Sequence, residues 1–99
     1  FGVMIMTRGC RTSGALTASA LIFSGPCKLI SIHGAETAGG GAESLTLYDN
    51  TAGSGTIVAT MMVASGTSIE YDMHGVICKT GLYAVIAGPG TGSFTVEFA

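Results

Sequence analysis

The sequence predicts an all-β protein: a single-domain antiparallel β-sandwich of about eight strands, jelly-roll or immunoglobulin-like in arrangement. Apolar and polar residues alternate with a period of two in several short runs. Turn-forming residues separate the runs at intervals of roughly 8–12 residues, the punctuation of sandwiches and barrels. No stretch holds apolar residues at i, i+3, i+4 and i+7 between caps, so helix signals are nearly absent.

In chain order, strands are expected at residues 3–8, 19–24, 27–34, 44–49, 56–64, 67–73, 82–87 and 93–98. The last alternates most regularly, with Phe94, Val96 and Phe98 on one face and Ser93, Thr95 and Glu97 on the other. That is a strand with one buried and one wet face. Ile69, Tyr71 and Met73 likewise oppose Ser68, Glu70 and Asp72, while Leu45 and Leu47 oppose Thr46 and Tyr48. Between the strands lie Gly25-Pro26, Gly39-Gly40-Gly41, residues 49–55, Ser65-Gly66 and Gly88-Pro89-Gly90. These residues supply positive φ, fixed φ or side-chain bonds to the backbone. The polar stretch 10–17 suits a hinge, which divides the chain into an N-terminal strand or arm (1–12) and the sandwich proper (13–99).

Ninety-nine residues suffice for one hydrophobic core but not for two. Charged residues make up 10% of the chain, against roughly 25% in ordinary soluble domains. Its surface must therefore consist largely of Ser, Thr, Gly and apolar groups. A net charge of -2, with Arg8, Arg11, Lys28 and Lys79 as the cations, excludes a broad nucleic-acid footprint. Cys10, Cys27 and Cys78 permit at most one intrachain disulfide, and reduced thiols in a reducing compartment are expected. The uncharged window 50–69 has the length of a membrane span, but its Gly, Ser and Thr content and flanking turns argue against a helix. No basic segment followed by an unbroken apolar run marks a signal peptide.

No motif carries chemistry. Gly88-Pro89-Gly90-Thr91-Gly92 lacks the Lys-Ser/Thr ending of a phosphate loop and precedes a strand where a helix N-terminus would be needed. His74 and Cys78 have an i, i+4 gap that could serve zinc on a helix, but the residues between them read as a strand end and turn. Tyr48-Asp49-Asn50 and Glu70-Tyr71-Asp72 offer oxygen ligands without the spacing of a calcium loop. No Gly-x-Ser-x-Gly elbow places a base beside a nucleophile. No catalytic residue, cofactor or metal is expected.

Several strands are apolar on both faces, whereas a two-layer sandwich buries one face of each sheet. Either a loop or a partner must cover the other. The residues concerned are Val3, Met4, Ile5 and Met6, with Arg8 at the end of that strand; Ile30 and Ile32, next to Leu29; and the pair Met61 and Met62. One of two consecutive methionines in a strand must face away from the core. Low charge and doubly apolar strands together predict a subunit covered by copies of itself or by partners.

From residue 15 to residue 98 the chain resembles small β-sandwich virion proteins of tailed bacteriophages. The resemblance lies in Leu16-Thr17-Ala18-Ser19-Ala20, Gly25-Pro26-Cys27-Lys28-Leu29-Ile30-Ser31-Ile32, Leu45-Thr46-Leu47-Tyr48-Asp49-Asn50, Met73-His74-Gly75-Val76-Ile77-Cys78 and Gly81-Leu82-Tyr83-Ala84. It implies a non-enzymatic virion component, foremost a capsid cement or decoration protein made in the host cytoplasm, with a tail or head-fibre component as the alternative. The partners implied are the chain itself, as a homotrimer, and a major capsid protein or another virion protein. Neither nucleic acid nor membrane is among them. A first strand at 3–8 would extend a neighbour's sheet. A carbohydrate- or receptor-binding module is the competing reading, for which aromatic residues exposed on one face are expected.

Overall fold

The computed structural model describes residues 9–99. The expected strand at 3–8, and with it Val3, Met4, Ile5, Met6 and Arg8 as contact residues, lies outside the described residues. Eight strands follow: β1 (Arg11–Thr12), β2 (Ala20–Ser24), β3 (Cys27–Glu36), β4 (Glu43–Asp49), β5 (Thr56–Val63), β6 (Thr67–Cys78), β7 (Gly81–Ala87) and β8 (Gly92–Phe98). No helix forms among the described residues. The window 50–69, long enough to span a membrane, is instead a turn, β5 and the start of β6.

The strands form two four-stranded antiparallel sheets, ordered β1-β8-β3-β6 and β2-β7-β4-β5. Strand 1 thus pairs with 8, 2 with 7, 3 with 6 and 4 with 5, as if one long hairpin had been wound around itself. That is the jelly-roll order of eight strands in two Greek keys. The immunoglobulin order, with strands 1-2-5-4 facing 3-6-7, is not the one found.

The core lies between the sheets and is built from the inward row of each strand. Leu29, Ile32, Leu45, Leu47, Leu82, Phe94 and Val96 are all essentially inaccessible. Each such side chain contributes on the order of 1.5–3 kcal/mol through removal of apolar surface from water. Gly34 permits the closest approach in this core. It pairs directly with Phe94 across the β3–β8 ladder, and an added Cβ would stand 2.8 Å from both the Phe94 ring and a Val63 methyl.

Bulges decide which apolar residues enter the core. Leu29 pairs with Phe98 and Ser31 with Glu97, so Ile30 has no counterpart on β8. The extra residue turns both Leu29 and Ile32 inward. Ile32 therefore leaves the expected contact surface for the core, and the doubly apolar pattern there marks a bulge. Opposite Ile30 on β6 stand three residues, Met73, His74 and Gly75, between the pairs Ser31–Asp72 and Leu29–Val76. His74 and Gly75 adopt φ of 57° and 82°, and the Asp72 carboxylate accepts the His74 N–H at 3.0 Å. The expected strand end at Met73 is thus a kink, beyond which β6 resumes to Cys78. Such a kink also spoils β6 as a template for further strand pairing.

Two carboxylates tie the loops to the sheets. Glu36, fully buried at the end of β3, accepts the N–H groups of Gly39, Gly66, Gly40 and Thr91. Asp49 accepts those of Lys79, Thr80 and Gly81 in the β6–β7 turn. The expected hinge at 10–17 is also pinned. Arg11 and Thr12 pair with β8, and Leu16 exchanges two backbone hydrogen bonds with Phe94 at 2.7 and 2.9 Å. The sandwich accordingly includes Arg11 and Thr12, which the division at residue 12 had assigned to the arm.

Candidate functional site

The two outer faces of the sandwich differ in charge. On the face of the β1-β8-β3-β6 sheet, alternation points Ser31 and His33 outward from β3, Ser93, Thr95 and Glu97 from β8, and Glu70 and Asp72 from β6. Glu97 Oε1 accepts the Ser31 hydroxyl and lies 3.4 Å from His33 Nε2, while His33 Nδ1 is 3.9 Å from Glu70. The Ser31 hydroxyl, followed by the His33 ring, holds the Glu97 carboxyl below its ordinary range. Beside this cluster runs a shallow polar groove of about 330 Å³, lined by residues that include His33, Glu70, Ser93 and Thr95.

Serine, histidine and carboxylate meet here without forming a nucleophilic triad. The Ser31 hydroxyl donates to Glu97, and the His33 Nε2 that lies 3.4 Å from Ser31 Oγ also faces that carboxylate, so His33 is not set as a free base between serine and acid. His33 serves instead as a second donor to the same carboxylate.

The face of the β2-β7-β4-β5 sheet is built from a different set. Register places Leu21, Tyr83, Tyr48 and Ile57 in one row across all four strands. Val85, Thr46 and Thr60 form the next row, followed by Ala87, Ser44 and Met62. None of these residues is charged. At the ends of the first row Leu21 and Ile57 are 46% and 53% exposed, and Met62 is 65% exposed. Aromatic residues and Met concentrated where charge is missing are the compositional signature of interface cores.

Part of this face is already covered. The 50–55 turn folds back so that an added Cβ on Gly53 would meet Val85 at 2.9 Å and Tyr83 at 3.4 Å. The Asn50 side chain fixes the turn, donating to Ser54 O at 2.7 Å and accepting Thr51 N–H at 2.8 Å. The rest stays open. Around the β5 edge the face continues into a groove of about 300 Å³ lined by Met62 and, from β6, Tyr71.

The expected contact residues are thereby sorted. Met62 faces outward on the uncharged sheet and Ile30 is half-buried at its bulge, but Met61, 3% exposed, belongs to the core like Ile32. The alternation of β5 puts only one of the two methionines outside. Leu21, Tyr48, Ile57 and Tyr83 are not among the contact residues expected from the sequence. Their individual alternation was readable, but their alignment depends on which strands neighbour one another.

The remaining motifs resolve as structure. His74 is exposed while Cys78 is buried, so the two do not share a site. The Gly88–Gly92 loop gives its Thr91 N–H to the Glu36 carboxylate, the role that a phosphate-loop reading would have reserved for a ligand. Asp49 is occupied by backbone N–H groups, which hold its carboxyl below the ordinary range, Lys79 most strongly. Among the described residues no group of three or more His, Cys, Asp or Glu side chains is arranged to hold a metal ion.

Among the described residues, the fold and these surfaces define a class: an eight-stranded jelly-roll sandwich with one charged outer face and one uncharged, aromatic-bearing one. Comparison with family models, curated proteins and solved structures returns no match.

Proposed function

We propose that this chain is a non-enzymatic structural protein of a viral particle, a capsid cement or decoration protein. Its uncharged sheet face would seat against the capsid lattice or a neighbouring copy. The observation that carries this reading is the set of rows Leu21-Tyr83-Tyr48-Ile57, Val85-Thr46-Thr60 and Ala87-Ser44-Met62, which contain no charge. Jelly rolls recur in viral capsid domains, and also in lectins and cupins, so the fold supports the reading by analogy alone.

Size bears on how such a face would work. Four strands, each about 4.8 Å wide and about seven residues long, at about 3.4 Å per residue, give roughly 460 Å² in plan. A stable protein interface buries about 800 Å² per partner. One face alone is a weak site, and a protein repeated on a lattice gains the missing affinity through simultaneous attachment.

The test combines native mass measurement and electron microscopy of the purified protein with the variants Ile57→Lys and Met62→Glu. The expected result is trimers or lattice-bound copies in the parent and their loss in the variants, with the β-sheet circular dichroism unchanged. A monomer at high concentration that binds no lattice overturns the proposal. A carbohydrate-binding role is favoured by one observation, the adjacent Tyr48 and Tyr83 on the same face. Reproducible glycan-array binding lost in Tyr48→Ala would establish that role instead.

A further inference from the structure

Cys27 is the first residue of β3 and Cys78 the last of β6, and the two stand directly opposite in the ladder between them. Opposite residues project to the same side of a sheet, here the core side, where Cys27 is 6% and Cys78 0% exposed. The Cys78 thiol donates to Val76 O at 4.0 Å, within β6 itself. Opposite Cα atoms in an antiparallel pair are about 4.5–5.5 Å apart, within the span a disulfide accepts. Closing the bridge draws the Cβ atoms from about 5 Å to about 3.8 Å, and both residues sit at strand ends, where the ladder can tighten.

Access is also present. A surface hollow of about 380 Å³ is lined by Pro26, Cys27, Lys28, Ile77 and Ala99, so Cys27 borders solvent-reachable space while Cys78 lies behind it. The third cysteine, Cys10, is exposed.

We propose that Cys27 and Cys78 are a redox-sensitive dithiol that closes to a cross-strand disulfide when the protein meets a low-molecular-weight disulfide, clipping β3 to β6. The Cys27 thiolate attacks glutathione disulfide, forming a Cys27–glutathione bond and releasing one glutathione thiolate. The Cys78 thiolate then attacks the Cys27 sulfur and releases the second. Two protein thiols are oxidised and one glutathione disulfide is reduced to two thiols. The two protons lost by the cysteines go to the departing thiolates through solvent. Burial pushes both thiols up, Cys78 to about 11, so the exchange is slow at neutral pH and quickens by about tenfold per pH unit.

The experiment uses the full chain carrying Cys10→Ser, reduced and then exposed to glutathione disulfide at alkaline pH. The expected product is about 2 Da lighter, yields one peptide linked through Cys27 and Cys78, and returns to the starting mass with dithiothreitol. The same treatment of a Cys10→Ser, Cys78→Ala protein should stop at a glutathione adduct on Cys27. The proposal fails if both cysteines of the Cys10→Ser protein remain alkylatable, or if its reaction also stops at the adduct. Neither result touches the particle reading, since the pair lies away from the uncharged face.

Discussion

Gly34→Ala isolates how much the sandwich depends on close approach between its layers. The glycine φ is ordinary, so the substitution introduces no backbone strain, and the gain in unfolded-state rigidity would by itself stabilise by about 0.4–1 kcal/mol. The new methyl, however, would stand 2.8 Å from Phe94 Cε1 and from Val63 Cγ2, and 2.9 Å from Phe94 Cδ1. Carbon atoms rest about 3.5–4.0 Å apart, so each neighbour must retreat by roughly 0.7 Å. Neither has room, because Phe94 is 0% and Val63 1% exposed and they approach from opposite sheets. Overpacking of a filled core costs about 1–3 kcal/mol, which leaves a net loss of roughly 1–2 kcal/mol. For a domain of this size that lowers the melting temperature by about 4–8 °C per kcal/mol. Urea unfolding of Gly34→Ala, Val63→Ala and the double variant supplies the assay. The double variant should be more stable than additivity predicts by at least about 0.5 kcal/mol, since removing Cγ2 makes room for the methyl. Gly40→Ala, whose nearest neighbour would be at 3.6 Å, is the control and should be neutral or stabilising. A Gly34→Ala protein as stable as the parent, or strict additivity in the cycle, would refute the packing argument.

Glu43 is 6% exposed, and its Oε1 has no hydrogen-bond partner. Glu43→Met should therefore stabilise the fold by about 1–3 kcal/mol, the desolvation cost of an unpaired polar atom, measured as the shift in urea midpoint. Backbone N–H groups hold the carboxyls of Glu36 and Asp49 below their ordinary values, Gly66 contributing most to the first and Lys79 to the second. Lowered groups bind fewer protons when folded. The stability they supply is full above the unfolded carboxylate pKa near 4 and is lost as pH falls through the folded values. Glu36→Gln and Asp49→Asn should each flatten the acid limb of stability against pH, and an unchanged limb would remove these clamps from the account. Closing Cys27 to Cys78 spans a loop of about 50 residues and should raise stability by roughly 4 kcal/mol on the chain-entropy scale, seen as a higher urea midpoint for the oxidised form. Ile57→Lys and Met62→Glu should leave monomer stability within about 0.5 kcal/mol, because both side chains already face solvent.

What the sequence determined by itself was everything that depends on neighbours along the chain. The alternation of Phe94, Val96 and Phe98 with Ser93, Thr95 and Glu97 sets which face of β8 is buried, because successive side chains leave a strand on opposite sides. Gly25-Pro26, Ser65-Gly66 and Gly88-Pro89 mark turns because their backbone preferences are local. The all-β class and most strand positions follow from those two facts. Tertiary structure decided what depends on pairing. The apolar trio Leu29, Ile30 and Ile32 reads as a two-faced strand until its partners show that Ile30 is an extra residue, which sends Ile32 inward. His74-Gly75 reads as a stop because positive φ usually ends a strand, yet the ladder with β3 resumes beyond it. Glu36 carries no local sign that loops from three parts of the chain will converge on its carboxylate. The uncharged face is of the same kind: Leu21, Tyr48, Ile57 and Tyr83 are far apart in sequence and become one row only through the order β2-β7-β4-β5. Strand order is settled by how distant strands share one core, a long-range condition that no local pattern encodes.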